Sequence, residues 1–218
     1  MHIIFDNDGV LVDSEPVINA AAIRGLEEYG VKARPEDFLP FVGAGEDRYI
    51  GGVAEKYGLT YKTEMKERVH AIYYDLIGDT LKPHKGALDL LEKVSRFSGK
   101  VALASSSDHE KINASLKAVG IPRDAFDLIV SGEEVPHKKP SPDIYLETAR
   151  RIGAEPADCV VIEDAVNGVE AAKAAGMICV AVTNSFSREE LKEAGADYIV
   201  SGLAEILSLD IFTPTKPK

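Results

Sequence analysis

Asp6 and Asp8 close an apolar run in "IIFDNDG". Their i, i+2 spacing puts both carboxylates on one side of an extended chain, where their charges repel. Other apolar runs also lead into polar clusters. "ALASSSD" delivers Ser105, Ser106 and Ser107, "VVIED" delivers Glu163 and Asp164, and a loop after "LIV" leads to His137, Lys138 and Lys139. Like charges gathered within a few ångströms raise one another's pKa, and a divalent cation with oxygen ligands removes the conflict. Carboxylates and waters suit Mg²⁺. A phosphate group is what would use such a cation together with a lysine and the backbone N–H groups at a helix start, which the Ser105–Ser107 segment is expected to supply. An aspartate can attack phosphorus to give an aspartyl-phosphate. A second acid can protonate the leaving oxygen and then activate water, worth on the order of 10²–10⁴ in rate.

The elements that must position these residues can be read from the same apolar runs. Residues 3–5, 101–104, 128–130, 160–162, 178–182 and 198–200 are continuous rather than alternating, as strands buried on both faces should be. Between them, "SSSDHEKINASLKAVG", "SPDIYLETARRIG" and "EDAVNGVEAAKAAG" have helical patterns that stop at Gly120, Gly153 and Gly176, the second with an expected cap at Ser141. Strands alternating with helices predict a doubly wound parallel sheet of the α/β, Rossmann-like class. Ligands in such a sheet bind beyond the carboxyl ends of its strands, where the polar clusters fall. The stretch between the first two runs is too long for one crossover. It predicts an inserted helical cap at about 15–81, entered after Ser14 and left near Thr80–Pro83, so that 1–14 and 82–218 form the core. The tail "TPTKPK" is expected to fray.

Composition narrows the partners. The chain has 218 residues, 45% hydrophobic, with a net charge of −11 and no long basic run, which argues against nucleic acid or an anionic membrane surface. Cys159 and Cys179 both lie in apolar runs and read as buried small hydrophobes; two cysteines cannot furnish a zinc site or a disulfide framework. No stretch approaches the roughly 18 apolar residues of a membrane helix, and "MHIIF" lacks a signal-peptide pattern. A cytoplasmic monomer is the expectation.

"FDNDGVLVDSE", "ALASSS", "KKPSPDIY" and "VVIEDAVNGVEAA" resemble the four signature motifs of the haloacid-dehalogenase superfamily, and within it the phosphatases similar to β-phosphoglucomutase. The resemblance covers nearly the whole chain, including the helical insert. It implies that Asp6 is the nucleophile and Asp8 the general acid/base. Ser105, with Ser106, would bind the transferring phosphoryl oxygens and Lys139 would neutralise nucleophile and phosphate. Mg²⁺ would be held by Asp6, the Asp8 carbonyl and Asp164, with Glu163 binding directly or through water. The main reading is a phosphatase for a small phosphorylated metabolite, a sugar phosphate first; phosphomutase, pyrophosphatase and a non-enzymatic phosphometabolite-binding module are the alternatives. The position of the mutase's cap-helix histidine is Ile18 here, which favours water as acceptor. Asn7 and Lys85 depart from the family pattern, and Asn7 is expected to point away from both aspartates. In the insert, "FVGAGEDRYIGG" predicts a glycine turn at Gly43–Gly45, with Glu46 and Arg48 as candidates to read the substrate's non-reacting half.

Overall fold

The computed structural model describes residues 1–42 and 44–212, the Asp79 side chain excepted. Gly43 of the expected glycine turn and the expected frayed tail at 213–218 lie outside the described residues.

Six parallel strands form the central sheet: β1 (His2–Phe5), β4 (Val101–Ser105), β5 (Leu128–Ser131), β6 (Cys159–Glu163), β7 (Ile178–Val182) and β8 (Tyr198–Val200). Their order is β5-β4-β1-β6-β7-β8. The chain therefore leaves β1 on one side and returns to it on the other, which makes β1 the switch point of the sheet. Phe5 pairs with Leu103 on one neighbour and Ile162 on the other, so the residues that follow these three strands emerge side by side.

Both faces of the sheet are buried, which is why the runs are apolar throughout. Ile3, Phe5, Leu103 and Ile162 face a core completed by α4 (Ala87–Val94) and α5 (His109–Ala118). Ile4, Ala102, Ala104 and Val161 face the other way, against α6 (Asp143–Ile152) and α7 (Val166–Ala174). The free thiols of Cys159 and Cys179 lie buried in this second core. A short α8 (Arg188–Glu193) precedes β8.

Residues 15–80 carry α1 (Glu15–Glu27), α2 (Glu46–Lys56) and α3 (Thr63–Thr80), with α1 packed along α3. Two strands lead in and out: β2 (Val12–Asp13) pairs antiparallel with β3 (Lys82–Pro83). Among the described residues no helix is long and apolar enough to cross a membrane.

Some local details differ from expectation, while Asn7 follows it. Ser14 stands at the N-cap of α1 but makes no side-chain capping bond. Pro142, not Ser141, is the N-cap of α6, and the Ser141 hydroxyl instead donates to Asp143 at 2.7 Å. Asn7 is fully buried and turns from the aspartates to α5, where its Nδ2 donates to Ser115 Oγ at 3.3 Å. Lys85 is exposed in the turn before α4.

Candidate active site

Asp6 continues β1 by one backbone bond, its N–H donating to Ile162 O at 3.0 Å. Its Oδ1 lies 2.6 Å from Lys139 Nζ, and the same ammonium lies 2.6 Å from Glu163 Oε1. The ring of Tyr145 sits under that ammonium, with 4.9 Å from Nζ to its centroid. Its hydroxyl donates to Glu163 Oε1 at 2.8 Å. Glu163 Oε2 in turn accepts the N–H groups of Asp164 and Ala165 at 2.8 and 3.0 Å. All these groups are buried, so the one lysine holds two carboxylates that would otherwise face each other in a poor dielectric.

Burial pushes the Asp6 carboxyl up to about 7, helped by Glu163 and Asp8 and opposed by Lys139. Burial, Glu163 and Asp6 hold the Asp164 carboxyl well above the usual carboxylate range. Burial disfavours the charged Lys139, but Asp6 and Glu163 outweigh it and push its pKa up.

A divalent cation fits this donor set. Oxygens of Asp6, Glu163 and Asp164 lie within 4.8 Å of one another. Asp164 Oδ2 accepts from the Ser185 hydroxyl, while Asp164 Oδ1 is buried with no hydrogen-bond partner among the described residues. Both oxygens of Glu163 already accept protein hydrogen bonds, which leaves Asp6 and Asp164 as the readier direct ligands. All the donors are hard oxygens, which suits Mg²⁺.

Two glycines make this crowding possible. A Cβ at Gly9, whose φ is +83°, would overlap the Asp164 carboxylate. At Gly168, inside α7, it would overlap the Glu163 carboxylate. Alanine in a helix ordinarily stabilises by about 1 kcal/mol over glycine. Here the sign reverses: Gly168→Ala is expected to destabilise by about 1–3 kcal/mol, as overpacking does. Thermal denaturation of the two proteins checks it, and an unchanged or raised midpoint would refute the close packing.

Asp8 meets a different set. Its Oδ2 accepts from Ser107 Oγ at 3.0 Å and Ser105 Oγ at 3.4 Å, and its Oδ1 lies 3.4 Å from Lys111 Nζ. Burial alone would raise the Asp8 carboxyl, but Lys111 and the hydroxyl donors outweigh it and hold it below the ordinary value. Lys111 is itself buried and lies 3.1 Å from Glu46 Oε1, across from α2. Glu46 Oε2 lies 2.7 Å from His70 Nε2 on α3. Burial opposes its charge, yet Lys111 and His70 bring the Glu46 carboxyl down to about 2.

Helices α1–α3 and the core share a cavity of ≈ 80 Å³. Asp6, Asp8, Ser105, Ser106, Lys139, Glu163, Asp164 and Glu46 all line it. Arg48 does not: its side chain is 63% exposed and pairs with Glu55. Residues two apart on a helix point to nearly opposite sides, so with Glu46 inward Arg48 must face out. Nor is the Ser105–Ser107 segment a helix start. Asp108 is the N-cap of α5, and its carboxylate already accepts Lys111 N–H at 2.8 Å. Lys138 is half-buried and donates to Gly132 O rather than lying free on the surface, whereas His137 is exposed and pairs with Asp143 at 2.8 Å.

The profile of the haloacid dehalogenase-like hydrolases matches residues 1–176. The chain belongs to this family. It is 42% identical over 219 residues to Protein SUPPRESSOR OF QUENCHING 1, chloroplastic, of Arabidopsis thaliana, covering 97% of this chain but only 20% of that protein's length. Hexitol phosphatase B of Escherichia coli is 31% identical over 211 residues, with 95% of each chain covered. Among solved structures, a putative β-phosphoglucomutase from Thermotoga maritima has a TM-score of 0.75 at 33% identity, over 95% of this chain and 96% of that one.

Lys111, His70, Tyr73 and Tyr145 escaped the sequence reading although each touches the site. Lys111 carried no local signal: in "HEKINASLKA" it reads as an ordinary helical lysine.

Proposed function

We propose that this hydrolase is a Mg²⁺-dependent phosphatase that cleaves a small phosphorylated metabolite, of the sugar phosphate class, through an aspartyl-phosphate. One observation carries the reading: two aspartates two residues apart are solvated differently, Asp6 by Lys139 beside Asp164, Asp8 by hydroxyls and Lys111. The partners suit different tasks: Asp6 stands in the buried acid cluster that a cation would neutralise, and Asp8 stands apart from that cluster, at hydroxyls and a lysine, where it can carry a proton.

An Asp6 oxygen attacks phosphorus as the bond to the leaving oxygen breaks, and Asp8, which must first take up a proton from solvent because Lys111 and the hydroxyls hold its carboxyl below the ordinary value, gives that oxygen the proton. Asp8, then ionised, takes a proton from the water that attacks phosphorus, and the Asp6 carboxylate leaves. Ser105, Ser106 and Lys139 hold the phosphoryl oxygens. Asp6, Asp164 and the Asp8 carbonyl would hold Mg²⁺, with Glu163 direct or behind a water, and the ion would supply the positive charge that lets carboxylate and phosphate approach. The helical cap at 15–81 closes over the core at 1–14 and 82–218, with the β2–β3 ribbon as its hinge, and excludes bulk water. Ile18 lines the cavity, and the cavity's histidine is engaged with Glu46 rather than Asp8, which supports water over a sugar hydroxyl as acceptor. The name of the Escherichia coli relative supports the substrate class.

A phosphate-release assay across sugar phosphates, pyrophosphate and nucleotides tests this. Sugar phosphates should be hydrolysed with Mg²⁺ and not in EDTA. Release from pyrophosphate alone would replace the reading with a pyrophosphatase, and no release from any substrate would leave a binding module.

A further inference from the structure

On the reading of this site as a phosphatase, the non-reacting end of its cavity has a definite chemical preference. Six carboxylates line the cavity against two lysines and one histidine. Each of these three side chains is already flanked by two acids. Lys139 lies 2.6 Å from both Asp6 and Glu163. Lys111 lies 3.4 Å from Asp8 and 3.1 Å from Glu46. His70 has one ring nitrogen 2.7 Å from Glu46 and the other 3.7 Å from Asp108. On that reading Lys139, and a cation held at Asp164, would be committed to the transferring phosphoryl group. A second anionic group, placed toward the cap, would face Glu46 and Glu15 with no lysine or histidine left to receive it among the described residues of the cavity.

What that end does offer is suited to hydroxyls. Carboxylate oxygens accept hydrogen bonds and donate none when ionised. Tyr73 lines the same cavity, and its hydroxyl is buried with no hydrogen-bond partner among the described residues, a state that costs free energy until a ligand supplies one. Ile18, Ile50 and Val69 provide apolar wall for carbon-bound hydrogens.

We propose that the cavity selects monophosphates whose leaving group is an uncharged polyol or sugar, and that Glu46 and Tyr73 are its specificity residues, rejecting substrates that carry a second phosphate or a carboxylate. Like charges brought together in such a site cost enough to be read directly in turnover.

The experiment compares matched pairs: a hexose 6-phosphate with the 1,6-bisphosphate, and glycerol 3-phosphate with 3-phosphoglycerate. The wild type should favour the first of each pair by at least about tenfold in kcat/KM. Glu46→Gln should narrow that gap by improving the doubly anionic member, because Lys111 then loses one of its two acids. Tyr73→Phe should raise KM for the hexose phosphate about fivefold with kcat little changed, and leave propyl phosphate unaffected. Calorimetric binding of the same pairs to Asp6→Asn gives a readout that needs no turnover. If no substrate is hydrolysed but Asp6→Asn still prefers the singly phosphorylated member, the phosphatase reading fails and the specificity stands. Equal or tighter handling of the bisphosphate or phosphoglycerate by the wild type, in turnover or in binding, overturns the proposal. So does a ratio that Glu46→Gln leaves unchanged.

Discussion

Asp6→Asn is expected to lower phosphate release by on the order of 10⁴-fold or more, the scale of losing a covalent nucleophile. The fold should survive it. Burial holds the Asp6 carboxyl up at about 7, so its folded pKa lies above its unfolded one even with Lys139 beside it. A group of that kind subtracts stability as pH rises from the ordinary carboxylate range through 7, and the loss is fully present above that. Replacing the charge by an amide of the same shape removes the loss. Without metal at pH 8, the variant should therefore melt no lower than the wild type, while at pH 4 the two should coincide. Activity and stability then move in opposite directions, as expected where a fold holds a strained group for chemistry. Asp8→Asn should differ: a fall of about 10²–10⁴ in kcat, with Mg²⁺ affinity by calorimetry little altered, because the Asp8 side chain faces Ser107 and Lys111 rather than Asp164. Wild-type release by Asp6→Asn would end the aspartyl-phosphate mechanism.

The core half of the site is legible in the sequence because its geometry is set by strands. Once "HIIF", "VALAS" and "CVVIE" are neighbours in a parallel sheet, the residues that end or follow them must converge, and Asp6, Ser105 and Glu163 do. The position of Lys139 beside Asp6 and Glu163 depends on a loop that reaches this same strand edge. The cap half is less legible because it depends on rotation about helix axes and on how helices dock. Glu46 and Arg48 are two residues apart and look equally suited to a substrate; only the phase of α2 turns one in and the other out. Lys111 looks like any helical lysine until α2 and α3 bring Glu46 and the Tyr73 ring to it. Contacts of that kind join residues about 24 to 65 positions apart on separate elements, and no local pattern announces them.

Lys139→Met tests the other load on the site. The substitution keeps the length of the side chain but deletes the cation between Asp6 and Glu163, leaving two buried carboxylates 2.6 Å from where an ammonium stood. Breaking a buried pair from one side typically costs about 3–5 kcal/mol. A thioether cannot hold a phosphoryl oxygen either, so kcat should fall by at least about 10²–10³. The pH dependence separates charge from packing. With Lys139 present, its own raised pKa means that its stabilisation is in force throughout the neutral range and is lost only as pH climbs past the ordinary lysine value. Without it, the folded pKa of Asp6 moves further above its unfolded one, so the folded variant must take up protons that the unfolded chain releases. Its stability should fall steeply between pH 4 and 8, and the deficit against wild type should be small near pH 4 and largest near pH 8. Chemical denaturation at both pH values measures this. A deficit independent of pH would mean that Lys139 matters as packing rather than as charge, and the reason for placing two acids beside one lysine would have to be sought elsewhere.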